Sequence, residues 1–237
     1  MGSKAATTLI ANIRENLNEN IPTASLVDGN AGTKWKNTRL LEHLNKGKDR
    51  LWDLLRSVRE DYFLITGNAS ITLTSSTREY TLPTRFWQLR GIRVTTSGYE
   101  AMTFRHVDMS KEEWKDVYAQ PQGSDSNLTE GDMIYDIVAQ SVLKLANFPP
   151  TTLATSIDYI ESLADYTLAT DSTSNNPDVW AEYMEAYATL LALERDPADA
   201  RIKIWKDKLL GLKGDVIKSV AKRQIRDAEF VEPYNPF

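Results

Sequence analysis

Apolar side chains recur every three or four residues near the start of this 237-residue chain, which is the spacing of amphipathic helices. The pattern predicts a helix over Ala6–Leu17 and a longer one over about Asn37–Asp61, with Gly47 as the weak point of the second. Proline and glycine between them predict a loop over Asn18–Lys34. Each predicted helix has one apolar face, so both must pack against other elements.

In the middle of the chain apolar and polar positions alternate, a period typical of β-strands. Clusters of Gly, Pro, Asn and Ser separate the alternating segments. The strands are predicted over Ser70–Ser75, Arg78–Leu82, Leu89–Thr96, Ala101–Arg105, Met133–Gln140, Ser141–Ala146 and Ser156–Leu163. A short helix over Met109–Tyr118 interrupts them, with Ser110 as N-cap and Glu113 in capping-box spacing.

The helical period returns after a loop predicted over Leu168–Pro177. An Ala-rich amphipathic helix is predicted over Val179–Arg195, and a further helix begins at Pro197, capped by Asp196, and runs to about Lys222. The apolar positions of the last helix share one face, formed by Ile202, Trp205, Leu209, Leu212, Val216, Ile217 and Val220. Gly211 and Gly214 cross this helix, where a bend or a close helix contact is expected.

Together these elements predict an α+β protein, in which a helical bundle formed by N- and C-terminal helices carries an inserted antiparallel β domain. Residues 1–69 are expected to form the N-terminal helices, 70–166 the β domain and 167–222 the C-terminal helices. Beyond Ile225 the sequence RDAEFVEPYNPF contains two prolines and three aromatic residues. Residues 223–237 are therefore predicted to form an extended, non-helical arm.

The charge is distributed unevenly along the chain. A formal charge of −5 argues against a dedicated nucleic-acid binder, because such proteins neutralise phosphates with Lys and Arg. Between Arg201 and Arg226, however, nine basic residues face only Asp207 and Asp215. This asymmetry has two interpretations, a complementary partner or a solvated helix face whose cations suit the helix dipole.

Patterns that carry catalytic chemistry are weak. The chain has no cysteine, which excludes disulfides, thiolate metal sites and cysteine nucleophiles. His43 and His106 lack a clustered carboxylate and are interpreted as structural or surface residues, and nothing singles out Asp158 and Glu161 as a catalytic pair. No apolar run approaches the roughly 20 residues that span a bilayer. We therefore expect no catalytic residue, metal or cofactor and no membrane association, and favour a structural role.

The order of several short motifs resembles the head-to-tail adaptor proteins of tailed bacteriophages. The two N-terminal helices are followed by Asp61-Tyr62-Phe63, Tyr80-Thr81-Leu82-Pro83-Thr84-Arg85-Phe86, Phe148-Pro149-Pro150 and the loop Leu168–Pro177 before Asp178. Two closing helices complete the series. Each motif is short, and their order over roughly Leu9 to Leu212 carries the resemblance.

The resemblance implies a non-enzymatic virion protein of the phage neck, made in the host cytoplasm. Such adaptors form a ring, usually of twelve copies, that docks onto the portal protein and offers its other side to a tail or nozzle protein. Double-stranded DNA would pass through the lumen without specific binding. The C-terminal arm would dock on the portal through Lys218, Lys222, Arg223, Arg226, Phe230, Val231, Tyr234 and Phe237.

Alternatives remain at two levels. The chain could be another neck or tail-completion protein of a phage, or a small hydrolase with unrecognised acidic residues. Tyr80, Leu82 and Phe86 are expected to pack in the core at a strand end, with a partner contact as the alternative. The aromatic tail could pack back on its own fold, although its composition favours anchoring in a partner.

Overall fold

The computed structural model of the protein describes residues 5–19, 34–119, 132–139, 141–167 and 180–229, with the backbone alone from residue 222 onward. It confirms the predicted α+β class. The chain divides into two compact units, a helical unit of Met1–Tyr62 with Leu163–Phe237 and a β unit of Phe63–Ser162. Residues 20–33 of the predicted loop Asn18–Lys34, and the whole of the predicted loop Leu168–Pro177, lie outside the described residues.

The helices follow the predicted periodicity closely. They span Ala6–Asn16 (α1), Asn37–Val58 (α2), Glu112–Tyr118 (α3), Ala181–Leu193 (α4) and Arg201–Glu229 (α5). Helix α2 ends before the predicted Asp61, and a short 3-10 turn over Glu60–Phe63 follows it. Helices α1, α2, α4 and α5 form the helical unit.

Helix α4 is the centre of the helical unit. The sequence predicts an amphipathic helix here, but nearly every described side chain of α4 is buried, because α1, α2 and α5 all pack against it. Helices α4 and α2 approach each other closely at one point. A Cβ added to Gly47 would lie only 2.9 Å from the carbonyl oxygen of Met184. Gly47 is therefore the contact point of two helices, a role that its interpretation as a weak point of α2 did not include.

A buried arginine joins the end of α1 to the start of α2. The side chain of Arg14 is only 3 % exposed, and its Nη2 donates to the Trp35 carbonyl at 2.7 Å and to Asn37 Oδ1 at 2.6 Å. Its Nη1 donates to Glu19 Oε2 at 2.7 Å. Because its charge is paired and its donors are used, Arg14 can stay buried.

Two polar side chains of α2 hold the segment that returns from the β unit. Asn45 Oδ1 accepts the backbone N–H of Tyr166 at 2.8 Å, while Asn45 Nδ2 donates to the Tyr166 carbonyl at 3.2 Å. Lys48, buried to 4 % exposure, donates to the Leu163 carbonyl and pairs with Asp165. The return of the chain is thus fixed by side-chain hydrogen bonds and not by a regular element.

The β unit contains two sheets. Its strands span Leu64–Leu73 (β1), Glu79–Thr81 (β2), Phe86–Val94 (β3), Thr103–His106 (β4), Asp132–Val138 (β5), Val142–Leu145 (β6) and Leu153–Glu161 (β7). One sheet has the order β1-β7-β3 and the other the order β2-β6-β5-β4. Each predicted strand is present with shifted ends, and β1 begins well before the predicted Ser70.

One strand pair departs from the predicted antiparallel domain. Strands β4 and β5 are parallel, with Thr103 opposite Asp132 and His106 opposite Tyr135. A parallel pair needs a long connection that brings the chain back to the same end of the sheet. The segment that contains α3 supplies this connection, and strand periodicity alone does not reveal it.

The two sheets share one apolar core. Met133 of β5 is fully buried in it, whereas its neighbour Ile134 points to the opposite face and packs with Trp114 of α3. Tyr80 is buried, and its hydroxyl donates to the carbonyls of the β1–β2 turn and accepts the Thr74 N–H at 3.0 Å. With Leu82 also buried, the expected core role of this motif is confirmed.

The predicted capping box at α3 is wrong. The N-cap is Lys111, which makes no side-chain capping bond. Asp108 Oδ1 instead accepts the backbone N–H of Ser110 at 2.7 Å, and Arg105 takes the carboxylate of Glu113. Both members of the expected box are therefore engaged elsewhere, and hydrogen bonds from Ser110 and Arg105 hold the pKa values of Asp108 and Glu113 below their usual range.

His43 is a buried residue of the helical unit. It is 4 % exposed, and its ring lies edge-on to Trp35 with centroids 6.4 Å apart. Neither ring nitrogen has a hydrogen-bond partner among the described residues. Burial, followed by the charges of Arg39, Arg195 and Lys46, lowers the pKa of His43 to about 4. The imidazole is therefore neutral in the folded protein at neutral pH.

The contact at Gly47 gives a first prediction. Gly47→Ala should lower the free energy of unfolding by about 1–3 kcal/mol, because the new methyl group meets backbone that cannot move independently. Gly211→Ala is the matched control, since no described atom lies within 4 Å of its added Cβ, and helix propensity should raise stability by about 0.5–1 kcal/mol. Urea unfolding followed by circular dichroism measures both, and a neutral Gly47→Ala would contradict the close contact.

Acid should destabilise the protein through His43. The folded pKa of about 4 lies below the unfolded value of 6.5, so the unfolded state takes up the proton first as the pH falls. Stability is full above about pH 6.5 and declines below it, by about 2 kcal/mol between pH 7 and pH 5. Urea titrations at the two pH values should show this loss in the wild type and in His106→Gln but not in His43→Phe. An equal loss in His43→Phe would assign the effect to other groups.

Candidate docking surface

The inner face of α5 is fixed to the helical unit near its middle. Val216 and Val220 are buried at 3 % and 0 % exposure. Trp180 Nε1 donates to Ser219 Oγ at 2.9 Å, and Ser219 Oγ donates to the Val216 carbonyl at 2.8 Å. The ring of Tyr62 contacts Trp180 edge-on at 5.6 Å between centroids. This part of the predicted apolar face is therefore core.

The first half of α5 is more open than its apolar pattern predicts. Its stripe residues Ile202, Trp205, Leu209 and Leu212 are only half-buried. Ile217, predicted on the same stripe, is 36 % exposed. Outside the stripe, Ile204 and Leu210 are 66 % and 71 % exposed. The apolar face is thus confirmed at its C-terminal end only, and the helix presents large aliphatic side chains to solvent.

The start of α5 differs from the prediction for a local electrostatic reason. The helix begins at Arg201, not at Pro197, and Asp199 replaces the expected cap Asp196. An Asp199 oxygen accepts the Arg201 backbone N–H at 2.9 Å, and the Arg201 guanidinium binds the same carboxylate at 2.7 Å. These bonds lower the pKa of Asp199 to about 2. Arg201 also donates to the Leu17 carbonyl at 3.3 Å, which ties α5 to the end of α1.

The cations of α5 make loose surface contacts. Lys206 lies 3.3 Å from Glu194, and the Lys208 ammonium lies 4.5 Å from the centre of the Trp205 ring. Lys218 lies 3.9 Å from Asp215, with both side chains more than 70 % exposed. Pairs of this kind contribute little to stability. The positive charge of α5 therefore stays accessible to a partner.

The predicted docking residues fall into three groups. Lys218 lies on the exposed side of α5. Lys222, Arg223 and Arg226 lie on the helical backbone, because α5 continues to Glu229 instead of ending near Lys222. Residues 222–229 contain neither proline nor glycine, so the expected extended arm from residue 223 is helical at least this far. Phe230, Val231, Tyr234 and Phe237 lie outside the described residues.

Sequence reasoning missed the exposed aliphatic residues of α5. Leu210 and Ile217 lie seven residues apart, so they share a flank of the helix beside the buried face. Gly211 and Gly214 stand between them, and no described atom lies within 4 Å of a Cβ added to either. The expected close contact at these glycines is thus not made within the described part of the chain. The sequence signal that could have revealed such exposure is the presence of large apolar residues outside the predicted apolar face.

The acidic residues weighed for catalysis have structural partners. Asp158 accepts the Gly67 backbone N–H and pairs with Arg93 at 2.9 Å, while Glu161 pairs with Arg85. Among the described residues no three His, Cys, Asp or Glu side chains cluster as metal ligands. Asp108, Glu113 and Asp199 have pKa values below the usual range of a carboxyl group, whereas a general acid needs a raised pKa.

The comparison with protein families decides the class of this protein. The sequence model of the SU10 adaptor protein family matches residues 4–229. The chain belongs to this family. It is therefore a structural adaptor of a bacteriophage virion, as the order of motifs predicted. No curated protein matches the chain.

Family membership also frames the contacts of the adaptor. Adaptors of this kind interact with portal and tail proteins and oligomerise. Within the described residues, no helix of the adaptor is both long and apolar enough to cross a membrane. The exposed face of α5 joins aliphatic side chains to accessible cations, a composition that suits a protein interface.

The half-burial of Trp205 gives a quantitative prediction. Trp205→Ala should cost about 1–2 kcal/mol of unfolding free energy, less than the roughly 3–5 kcal/mol expected for a fully buried tryptophan. Trp180→Ala is the matched comparison, because Trp180 is 4 % exposed and bonded to Ser219 of the same helix. Urea unfolding should show a clearly larger loss of unfolding free energy for Trp180→Ala. Equal losses would contradict the half-burial of Trp205.

Proposed function

We propose that the adaptor forms a closed ring beneath the portal, joins capsid to tail in the virion neck and lets double-stranded DNA pass through its lumen. The family supports a role at the junction between capsid and tail. A closed ring of identical subunits also requires that each subunit contact its neighbour through two different surfaces. We expect twelve copies, the usual number for the adaptors that the sequence resembles.

The distribution of charge supports such a two-sided contact. Residues 201–226 carry nine basic and two acidic side chains and therefore a formal charge of +7. Because the whole chain has a formal charge of −5, the remaining residues carry −12. A basic helix on one copy can therefore meet an acidic surface on another molecule. Electrostatic complementarity of this kind guides orientation and the rate of encounter.

The single observation that carries the portal contact is the length of α5. Lys218, Lys222 and Arg226 follow one another at intervals of four residues on a helix that continues to Glu229. By this spacing they share one helix face. We propose that this face, with Arg223 and the aromatic residues Phe230, Tyr234 and Phe237, docks on the portal, the aromatic side chains serving as anchors.

Charge reversal tests the docking face. Lys218→Glu, Lys222→Glu and Arg226→Glu together should weaken co-sedimentation with portal rings of the same phage at least tenfold at 0.1 M salt. The matched control reverses three exposed lysines elsewhere, Lys46, Lys111 and Lys115. Wild-type docking should also weaken between 0.1 and 1 M salt, because the Debye length falls from about 10 Å to about 3 Å.

Two results would contradict the assignment. Equal losses in the triple variant and in its control would show a general charge effect and not a docking face. Normal docking by a chain truncated after Ala221 would remove the C-terminal segment from the interface, since Val220, the last described side chain that is buried, is retained and the fold should persist. Electron microscopy of adaptor bound to portal gives the copy number, and binding to tail components alone would favour another neck protein.

A further inference from the structure

A concave pocket of about 390 Å³ lies at the N-terminus of α2, at a distance in sequence from the proposed docking face. It is lined by Lys34, Trp35, Lys36, Thr38, Arg39, Glu42 and Arg195. Four cations thus face a single carboxylate in a chain whose net charge is negative. Positive charges brought together in one pocket raise the local electrostatic potential, which attracts an anion.

The helix end adds to the positive potential. The N-cap of α2 is Lys36, which makes no side-chain capping bond, and the first turn contains no acidic residue. The N-terminus of a helix carries partial positive charge on its unpaired N–H groups, and acidic residues normally offset it. Here lysine and arginine occupy those positions instead. The 22-residue helix and the pocket therefore attract negative charge together.

The carboxylates near the pocket, Glu42 beside Arg39 and Asp199 within electrostatic reach of Lys34, neutralise only part of its charge. Glu42 accepts one bond, from Arg39 Nη1 at 2.6 Å. Glu19 accepts the Lys34 backbone N–H at 2.8 Å, but it is already paired with the buried Arg14. The Arg39 Nε is buried without a hydrogen-bond partner among the described residues. An anion in the pocket would supply an acceptor for the Arg39 Nε–H.

Side chains next to the pocket also indicate a positive electrostatic potential. The guanidinium of Arg195 lies 5.2 Å from the centre of the Trp35 ring, which holds it at the pocket wall. His43 lies one helical turn after Arg39, is 4 % exposed and has two unpartnered ring nitrogens in the described part of the chain. Burial lowers the pKa of His43, and the positive charges of Arg39 and Arg195 lower it further.

We propose that this pocket binds a phosphate group, either free phosphate or the backbone phosphates of duplex DNA. Arg39 and Arg195 offer forked donors that match phosphate oxygens, and Lys34 and Lys36 add point charges at the rim. Both lysines are exposed, so the rim admits a phosphate that is still part of a larger molecule. The proposal does not depend on ring formation.

The test uses the full chain and two variants, each of which replaces two lysines with uncharged glutamines. Lys34→Gln with Lys36→Gln removes the rim of the pocket, and Lys203→Gln with Lys213→Gln removes two exposed lysines of α5 as a matched control. Thermal unfolding in sodium phosphate is compared with sodium chloride of equal ionic strength. Phosphate should raise the melting temperature of the wild type and of the control, but not of the pocket variant.

DNA binding is tested separately, by measuring the affinity for a fluorescent 20-base-pair duplex from its anisotropy at 50 and 200 mM salt. If three phosphates are neutralised, wild-type affinity should fall about 40-fold between these salt concentrations, and that of the pocket variant only about 4-fold. A response to phosphate without DNA binding supports the pocket and assigns it to free phosphate. No response to either ligand, or equal losses in both variants, overturns the proposal.

Discussion

The close approach of α2 and α4 at Gly47 is the contact on which the helical unit depends. The contacting backbone of Met184 lies 137 residues further along the chain, beyond the whole β unit. The helical unit can therefore close only after the chain has returned, and long loops of this kind cost conformational entropy. A buried α4, small alanines along it and a glycine opposite it provide the packing that offsets this cost.

Polar side chains that are buried or partly buried fix the register of the elements around that contact. Arg14 ties α1 to the start of α2, Lys48 and Asn45 hold the returning segment, and Arg201 joins α5 to α1. Each of these side chains has several partners, so removing one would leave another buried group unsatisfied. The apolar core supplies most of the stabilisation, while these bonds specify which helix ends meet.

Periodicity predicts most of this fold because local burial patterns dominate it. Strands β2 and β6 and most of β7 alternate between buried and more exposed positions, and α1 and α2 start where the helical period begins. The errors at two helix starts arise where a side chain has more than one nearby partner, as at Asp199 for α5 and Glu113 for α3. The basic character of α5 is visible in the sequence, whereas the phosphate pocket is not, because Arg39 and Arg195 meet only after folding.

Helix α5 has a mechanical property that follows from its two attachments. Arg201 fixes its beginning, and Val216, Ser219 and Val220 fix a second region about four turns further on. Between them, Gly211 and Gly214 make no close contact with described atoms and weaken the helix by about 1 kcal/mol each relative to alanine. Bending is therefore cheapest in this short span. Bending there would tilt the basic C-terminal half only if the contacts of Val216, Ser219 and Val220 moved with it.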